Sequence, residues 1–132
     1  MKNNLPLIVG AIVIVVLLFF VVRGGGGSGP LDSFASCLKN KGATFYGAFW
    51  CPHCANQKKL FGKSEKLLAY VECSTPDGKG QLQICKEENI TSYPTWDLKP
   101  IGEATTTTRL TGEIALEILA EKTDCKLPAP IK

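Results

Sequence analysis

The residues best suited to chemistry in this sequence are two cysteines in the stretch YGAFWCPHC, positions 46–54. Cys51 and Cys54 follow an apolar, aromatic-rich run typical of a buried strand, and Pro52 favours the first turn of a helix. A helix N-terminus carries unpaired N–H groups and about half a positive charge, which stabilise a thiolate there. The pattern therefore predicts a redox pair in which Cys51 is the nucleophile and Cys54 resolves the mixed disulfide.

The two residues between the cysteines are expected to tune this chemistry. Pro52 fits the first helical turn, and a protonated His53, or its N–H dipole, favours the Cys51 thiolate. A stabilised thiolate is a better leaving group, so it makes the disulfide a stronger oxidant. The alternative for His53 is an exposed, solvated imidazole.

Two other uses of a CxxC pair fit less well. A structural zinc site needs a second close pair of ligands, and Cys73 and Cys85 are too far apart in the sequence to supply one. A purely structural bridge across so short a loop would stabilise little, because it removes little entropy from the unfolded chain. We therefore expect neither a metal nor a bound cofactor.

A second candidate feature is SYPTW at positions 92–96. A Tyr–Pro peptide bond adopts the cis form at modest cost, and cis prolines lie in tight, specified turns. Beside a redox pair, such a turn exposes backbone groups with which an extended substrate can pair. Tyr93, Pro94 and the aromatic Trp50 are therefore candidate substrate-binding residues.

The elements that position these residues follow from hydrophobic patterning. Helices are predicted at 33–40 with Asp32 as the cap, from the cysteine pair to Phe61, and at 64–69, 81–88 and 113–122. The last two of these helices should bury their apolar residues, which are Leu82, Ile84, Cys85, Ile114, Ile118 and Leu119. Strands are predicted at 43–49, 70–73, 95–98 and 105–110.

The connections between the strands predict the fold class. A helix separates the first two strands, which should be parallel, and the last two strands form a hairpin through residues 99–102. The result is an α/β domain with a four-stranded mixed sheet flanked by helices.

The N-terminal region predicts attachment to a membrane. An uncharged 18-residue run begins at Leu5 and ends at Val22, and as a helix it would span roughly 27 Å. The run is longer than the apolar core of a secretory signal, the alternative reading, and no small-residue cleavage site follows it. We expect a transmembrane anchor at 1–23, a flexible glycine–serine linker at 24–30 and one domain at 31–132.

The cysteine content predicts the compartment. Six cysteines in so short a chain are typical of an oxidising environment, so the soluble domain is expected outside the cytoplasmic membrane. Six cysteines allow several connectivities; we favour structural bridges Cys73–Cys85 and Cys37–Cys125. The alternative that Cys73–Cys85 is a second, electron-relaying pair stays open. The net charge of +3 shows no basic block, and nucleic-acid binding has no support.

These motifs resemble the thioredoxin superfamily. FWCPHC, a β-α-β start and SYPTW carry the resemblance, and CPHC is similar to the DsbA-type oxidase. The fuller pattern GATFYGAFWCPHCANQKKLFG…YVEC…CKEENITSYPTW most closely resembles the thioredoxin-like domain fused to bacterial vitamin K epoxide reductase homologues. The resemblance covers about residues 34–120.

The resemblance implies disulfide exchange outside the cytoplasm, with Pro94 as the cis-proline beside the active site. It implies exported cysteine-containing proteins as substrates. It also implies a vitamin K epoxide reductase-like or DsbB-like quinone-linked membrane oxidase as redox partner, here expected to be a separate chain. Phe45 stands where related proteins often carry a buried acid, so the Cys54 proton needs another acceptor, either water or Glu72. The alternative for Glu72 is an exposed strand carboxylate.

The sequence thus predicts a membrane-anchored, extracytoplasmic thiol–disulfide oxidoreductase that forms disulfides in exported proteins. A reductase or isomerase of the same fold, and a non-catalytic thioredoxin-fold binding module, are the alternatives.

Overall fold

The computed structural model describes residues 13–14, 27–99 and 106–129. All of the predicted anchor except Val13 and Ile14 lies outside these residues, as do positions 24–26 of the linker. Positions 100–105 of the predicted hairpin connection and 130–132 of the tail also lie outside them. None of the helices in the described residues combines the length and the apolar character that crossing a bilayer requires.

Helices and strands alternate along most of the chain. The helices are α1 (Asp32–Asn40), α2 (Pro52–Phe61), a 3-10 helix (Gly62–Leu67), α3 (Gln83–Glu87) and α4 (Leu116–Thr123). The strands are β1 (Thr44–Gly47), β2 (Tyr70–Glu72), β3 (Thr95–Leu98) and β4 (Thr108–Thr111).

The four strands form one sheet in the order β2-β1-β3-β4. Strands β1 and β2 are parallel, as expected when a helix crosses between them. Strand β3 pairs antiparallel with both β1 and β4. The mixed sheet predicted from the sequence is confirmed, and with its flanking helices it fits an α/β thioredoxin-like fold.

Aromatic residues fill the main core. Phe45 on β1 and Trp96 on β3 face each other in register, and their rings stack with centroids 4.8 Å apart. Phe61 at the end of α2 contacts Trp96, and Phe34 from α1 stacks on Phe61. This cluster fixes the distance between β1 and the helix that carries both candidate cysteines.

A smaller cluster lies apart from the main core. Tyr46, which follows Phe45 on β1 and so points to the opposite face, packs there with Cys73, Cys85 and Ile90.

The predicted cap of α1 is wrong. Asp32 is the first helical residue, and Leu31 occupies the cap position without a side-chain bond. The hydroxyl of Ser64 supplies the missing acceptor, because it takes the Leu31 N–H at 3.2 Å while donating to Asp32 Oδ1 at 2.7 Å. A residue distant in sequence has replaced the local cap.

The last two helices are shorter than predicted. Ile84 and Ile118 are exposed, against expectation, whereas Cys85 and Leu119 are fully buried. Helix α4 begins three residues late, since Glu113 and Ile114 are held by side chains of α2. Tertiary contacts have overridden the helical pattern in this segment.

Candidate active site

Cys51 lies at the junction between β1 and α2. It is the N-cap of α2, its backbone is extended, and Pro52 occupies the first helical position. The Cys54 N–H donates to Cys51 Sγ at 3.4 Å. The sulfur of Cys51 thus takes the place of a capping oxygen and accepts one of the unpaired N–H groups at the start of the helix.

Both sulfurs of the pair are free, and both residues are buried. Cys51 is 5% exposed and Cys54 2% exposed, so the two residues differ little in exposure. Cys54 Sγ lies 3.0 Å from the position that a Cβ would take on Gly47. A larger residue at position 47 would therefore displace this sulfur.

Burial raises the pKa of the Cys54 thiol to about 12. The hydrogen bond with Cys51 and the charge of a Cys51 thiolate also raise this pKa, whereas a backbone hydrogen bond at Ala48 and the cation of Lys58 lower it. Cys54 therefore stays protonated at neutral pH in the reduced protein. It can attack a disulfide only while a base takes its proton.

The loop before β3 faces the redox pair. The peptide bond between Tyr93 and Pro94 is cis. The Cys51 thiol points to the Tyr93 carbonyl, with 3.8 Å between sulfur and oxygen. The Tyr93 hydroxyl accepts a hydrogen bond from Gln81, and the Pro94 carbonyl accepts one from the Gly112 N–H. Contacts on both sides therefore hold this loop beside Cys51.

An exposed aromatic surface precedes Cys51. Phe49 is 60% exposed and Trp50 53% exposed, so the predicted buried strand at 43–49 ends before Phe49. Trp50 Nε1 donates to Ser74 Oγ at 2.8 Å, and its ring meets the Tyr93 ring edge-on. The Trp50 ring is thus fixed in orientation while one side remains open to solvent.

His53 is exposed and bonds to a residue that the sequence did not indicate. Its Nδ1 lies 2.6 Å from Glu113 Oε1, and Asn56 also donates to that oxygen. These bonds lower the pKa of the Glu113 carboxyl. Glu113 follows 57 or more residues after these partners, so only the tertiary fold could reveal the contact.

Two paired side chains lie on β2: Tyr70, which the sequence did not indicate, and Glu72, which is a predicted acceptor of the Cys54 proton. The Tyr70 hydroxyl donates to Glu72 Oε2 at 2.7 Å. Glu72 Oε1 accepts the backbone N–H groups of Ser74 at 2.8 Å and Phe49 at 3.2 Å. Glu72 is therefore not the exposed strand carboxylate of the alternative interpretation. It is half-buried, and both of its oxygens accept hydrogen bonds.

The other four cysteines are paired. Cys37 is bonded to Cys125 and joins α1 to the segment after α4, and Cys73 is bonded to Cys85 and joins the end of β2 to α3. Throughout residues 13–14, 27–99 and 106–129, no three His, Cys, Asp or Glu side chains converge as metal ligands would.

Comparison with known proteins relates this geometry to a named oxidoreductase. No protein-family model matches the chain. Among curated proteins, the chain is 43% identical over 100 residues to the protein named thiol-disulfide oxidoreductase LTO1 from Arabidopsis thaliana. The match covers 72% of this chain and 24% of that relative, so the chain spans about a quarter of the relative's length. The identity and the free cysteine pair together support a thioredoxin-like fold with a thiol–disulfide redox function.

Proposed function

We propose that this chain is an extracytoplasmic, membrane-anchored thiol–disulfide oxidoreductase that forms disulfides in exported proteins. The observation that carries the proposal is the state of the six cysteines. Four are closed into two bridges, whereas Cys51 and Cys54 are free at the start of a helix. A pair placed there, with the helix N-terminus directed at the first sulfur, is suited to thiol–disulfide exchange.

In the oxidising direction, the Cys51–Cys54 disulfide is attacked first. A substrate thiolate bonds to Cys51 Sγ, the bond between the two cysteines breaks, and Cys54 leaves with the electron pair. A second substrate thiolate then attacks the substrate sulfur, and Cys51 leaves as a thiolate. Two electrons pass from the substrate to the pair, which ends as a dithiol.

The departing Cys51 sulfur is stabilised by the chain itself. The Cys54 N–H is directed at it, and the positive end of α2 adds to this interaction. The better Cys51 leaves, the stronger the oxidant, so these contacts favour electron flow from substrate to enzyme.

The substrate would lie across Trp50, Tyr93 and Pro94. These residues surround Cys51, and the exposed ring of Trp50 offers apolar area to an unfolded segment. An extended peptide could pair with the backbone beside the cis-proline while its cysteine reaches Cys51.

The pair must be reoxidised after each turnover. A vitamin K epoxide reductase-like or DsbB-like quinone-linked membrane oxidase is the proposed partner, and the run from Leu5 to Val22 would keep the domain near it. The two disulfides support an oxidising compartment, since such bonds persist there.

Two measurements test the proposed function. The oxidised full chain should oxidise a reduced two-cysteine peptide, and Cys51→Ser should abolish this activity; equal activity of the two proteins would refute the enzyme assignment. Equilibration with glutathione redox buffers should give a potential nearer to about −120 mV, as in the DsbA-type oxidase, than to about −270 mV, as in thioredoxin. A value near thioredoxin's would make the chain a reductase.

A further inference from the structure

Cys54 is so deeply buried that its thiol has little contact with solvent through which to lose its proton. The residue is 2% exposed, and the position on β1 that could carry a buried acid is Phe45, which stacks on Trp96. Yet Cys54 must lose a proton when it resolves a mixed disulfide, and as a leaving group it must regain one. Another group has to carry this proton.

The ionisable groups that face Cys54 come from two elements. Cys51 and Lys58 belong to α2 and its cap, and Tyr70, which is bonded to Glu72, belongs to β2. Lys58 is a cation and cannot accept a proton; its Nζ lies 3.6 Å from the centre of the Tyr70 ring. Of these groups, only those of β2 can therefore act as the acceptor.

The Tyr70 ring and the Cys54 sulfur approach each other over Gly47. From the position of a Cβ on Gly47, Tyr70 Cε2 is 2.9 Å away, Cys54 Sγ 3.0 Å and the Tyr70 hydroxyl oxygen 3.4 Å. Only a glycine leaves room for both groups. The glycine at this position thus lets the ring and its hydroxyl pack on the same side of β1 as the buried sulfur.

The hydroxyl is also bonded to a carboxylate that is not fully buried. Its own proton is donated to Glu72 Oε2, so the oxygen's lone pairs remain available to accept from a neighbour. Glu72 is half-buried, and the N–H groups of Ser74 and Phe49 fix its other oxygen. The hydroxyl therefore lies between the side of Gly47 that holds the Cys54 sulfur and a carboxylate that is only half-buried.

We propose that the Tyr70 hydroxyl and the Glu72 carboxylate carry the Cys54 proton during disulfide exchange. The inference rests on the proposed redox function of Cys51 and Cys54. The raised pKa of the Cys54 thiol supports it, because such a thiol reacts only with help from a base.

The resolving step is a thiol–disulfide exchange coupled to two proton transfers. Cys54 Sγ attacks the Cys51 sulfur of the mixed disulfide, the Cys51–Cys54 bond forms, and the substrate sulfur leaves with the electron pair. In the same step the Cys54 proton moves to the Tyr70 oxygen while the Tyr70 proton moves to Glu72, so no tyrosinate forms. In the oxidising direction each transfer runs backwards, and Glu72 takes the replacement proton from solvent.

Rapid mixing of the reduced full chain with Ellman's reagent distinguishes the reaction of Cys51 from that of Cys54. Attack by Cys51 releases a first thionitrobenzoate, and attack by Cys54 on the resulting mixed disulfide releases a second. Tyr70→Phe and Glu72→Gln should leave the first phase unchanged and slow the second by about 100-fold, the low end of what a positioned acid–base group contributes. Tyr70→Phe keeps the ring, and Glu72→Gln keeps an oxygen for the two N–H groups.

A matched control distinguishes proton transfer from packing. Tyr46→Phe removes the hydroxyl of the tyrosine that points to the other face of the sheet, and both phases should stay at their wild-type rates. In the two test variants the second phase should also become proportional to hydroxide concentration, because solvent base alone must then take the proton.

The outcomes separate the two proposals. An unchanged second phase in either Tyr70→Phe or Glu72→Gln overturns the relay and leaves the redox function standing. A second phase that slows equally in Tyr46→Phe also overturns it, since packing would then be the cause. If Cys51→Ser releases thionitrobenzoate like the wild type, the proposed function itself falls.

Discussion

The two disulfide bonds close loops of very different length, and this difference predicts how much each stabilises the fold. The bond between Cys37 and Cys125 joins residues 88 positions apart, and the bond between Cys73 and Cys85 joins residues 12 positions apart. Loop-closure entropy in the unfolded chain gives about 4.6 kcal/mol for the longer loop and about 2.9 kcal/mol for the shorter. The long-loop bond should therefore contribute about 1.7 kcal/mol more.

The assay compares each bond with its own reduced form. Cys51→Ala and Cys54→Ala first remove the redox pair. Two variants of this chain then each keep one disulfide, with the other pair replaced by alanine. Urea unfolding with and without a reducing agent gives the contribution of the remaining bond, and the alanine substitutions cancel because they are present in both measurements.

The result also bears on the alternative in which Cys73–Cys85 relays electrons. A disulfide that stabilises the fold by about 2.9 kcal/mol is stabilised by the fold to the same extent. Its reduction potential in the folded protein should therefore be about 60 mV lower than that of the same cysteine pair in the unfolded chain. A contribution near zero from this bond would favour a labile, redox-active pair. A contribution equal to or larger than that of the long-loop bond would refute the entropic reasoning.

Three further predictions concern the neighbourhood of the redox pair. The reduced protein should lose stability relative to reduced Cys54→Ala as the pH rises from about 9 towards 12. The pKa of the Cys54 thiol is about 12 in the fold and 9.0 is its usual value, so the thiol ionises first in the unfolded chain and favours unfolding. Urea unfolding across this pH range checks the sign. Gln57→Ala should lower the free energy of unfolding by about 2–4 kcal/mol, because it leaves the N–H and C=O of Ile114 without their partner. A decrease of less than about 1 kcal/mol in urea unfolding would contradict this prediction. The bond with His53 lowers the pKa of the Glu113 carboxyl, so the stability that it contributes is present above the usual pKa of 4.5 and is lost as the pH falls below that value. The difference in free energy of unfolding between the wild type and Glu113→Gln should therefore shrink when unfolding is measured at acid pH.

The sheet was predictable because its signals are local. The aromatic run around Phe45, the helix that must cross between two strands and the apolar residues of β3 each predict an element without reference to the rest of the chain. Gly62 ends α2 with a positive φ of 54°, as its position after the last apolar residue indicates.

The departures from prediction have a common cause. Helix α4 starts late because Gln57, 57 residues earlier, exchanges two hydrogen bonds with Ile114. The cap of α1 is a hydroxyl from Ser64, which lies in the 3-10 helix. No local pattern specifies such partners, so the element types could be predicted while several of their boundaries could not.

The residues of the candidate site are likewise of two kinds: some are indicated by the local sequence, and others are revealed only by the tertiary fold. Residue type and spacing indicate Cys51, Cys54 and Pro94, and all three lie together in the structure. Tyr70 and Glu113 carry no motif. Both gain their relevance from a neighbour across the fold, Cys54 in one case and His53 in the other.

The aromatic core explains why the proton acceptor of this site would lie on β2. Phe45 stacks on Trp96 at 4.8 Å and meets the Tyr70 ring edge-on at 5.3 Å, so a carboxylate at position 45 would lie among apolar rings without a partner. Tyr70 provides both an apolar surface for the core and a polar group for proton transfer. Its ring packs beside Phe45, and its hydroxyl donates to Glu72 at the edge of the sheet. If this division of roles holds, Phe45→Asp should destabilise the fold without restoring fast resolution to Tyr70→Phe, and a rescued second phase in the double variant would refute it.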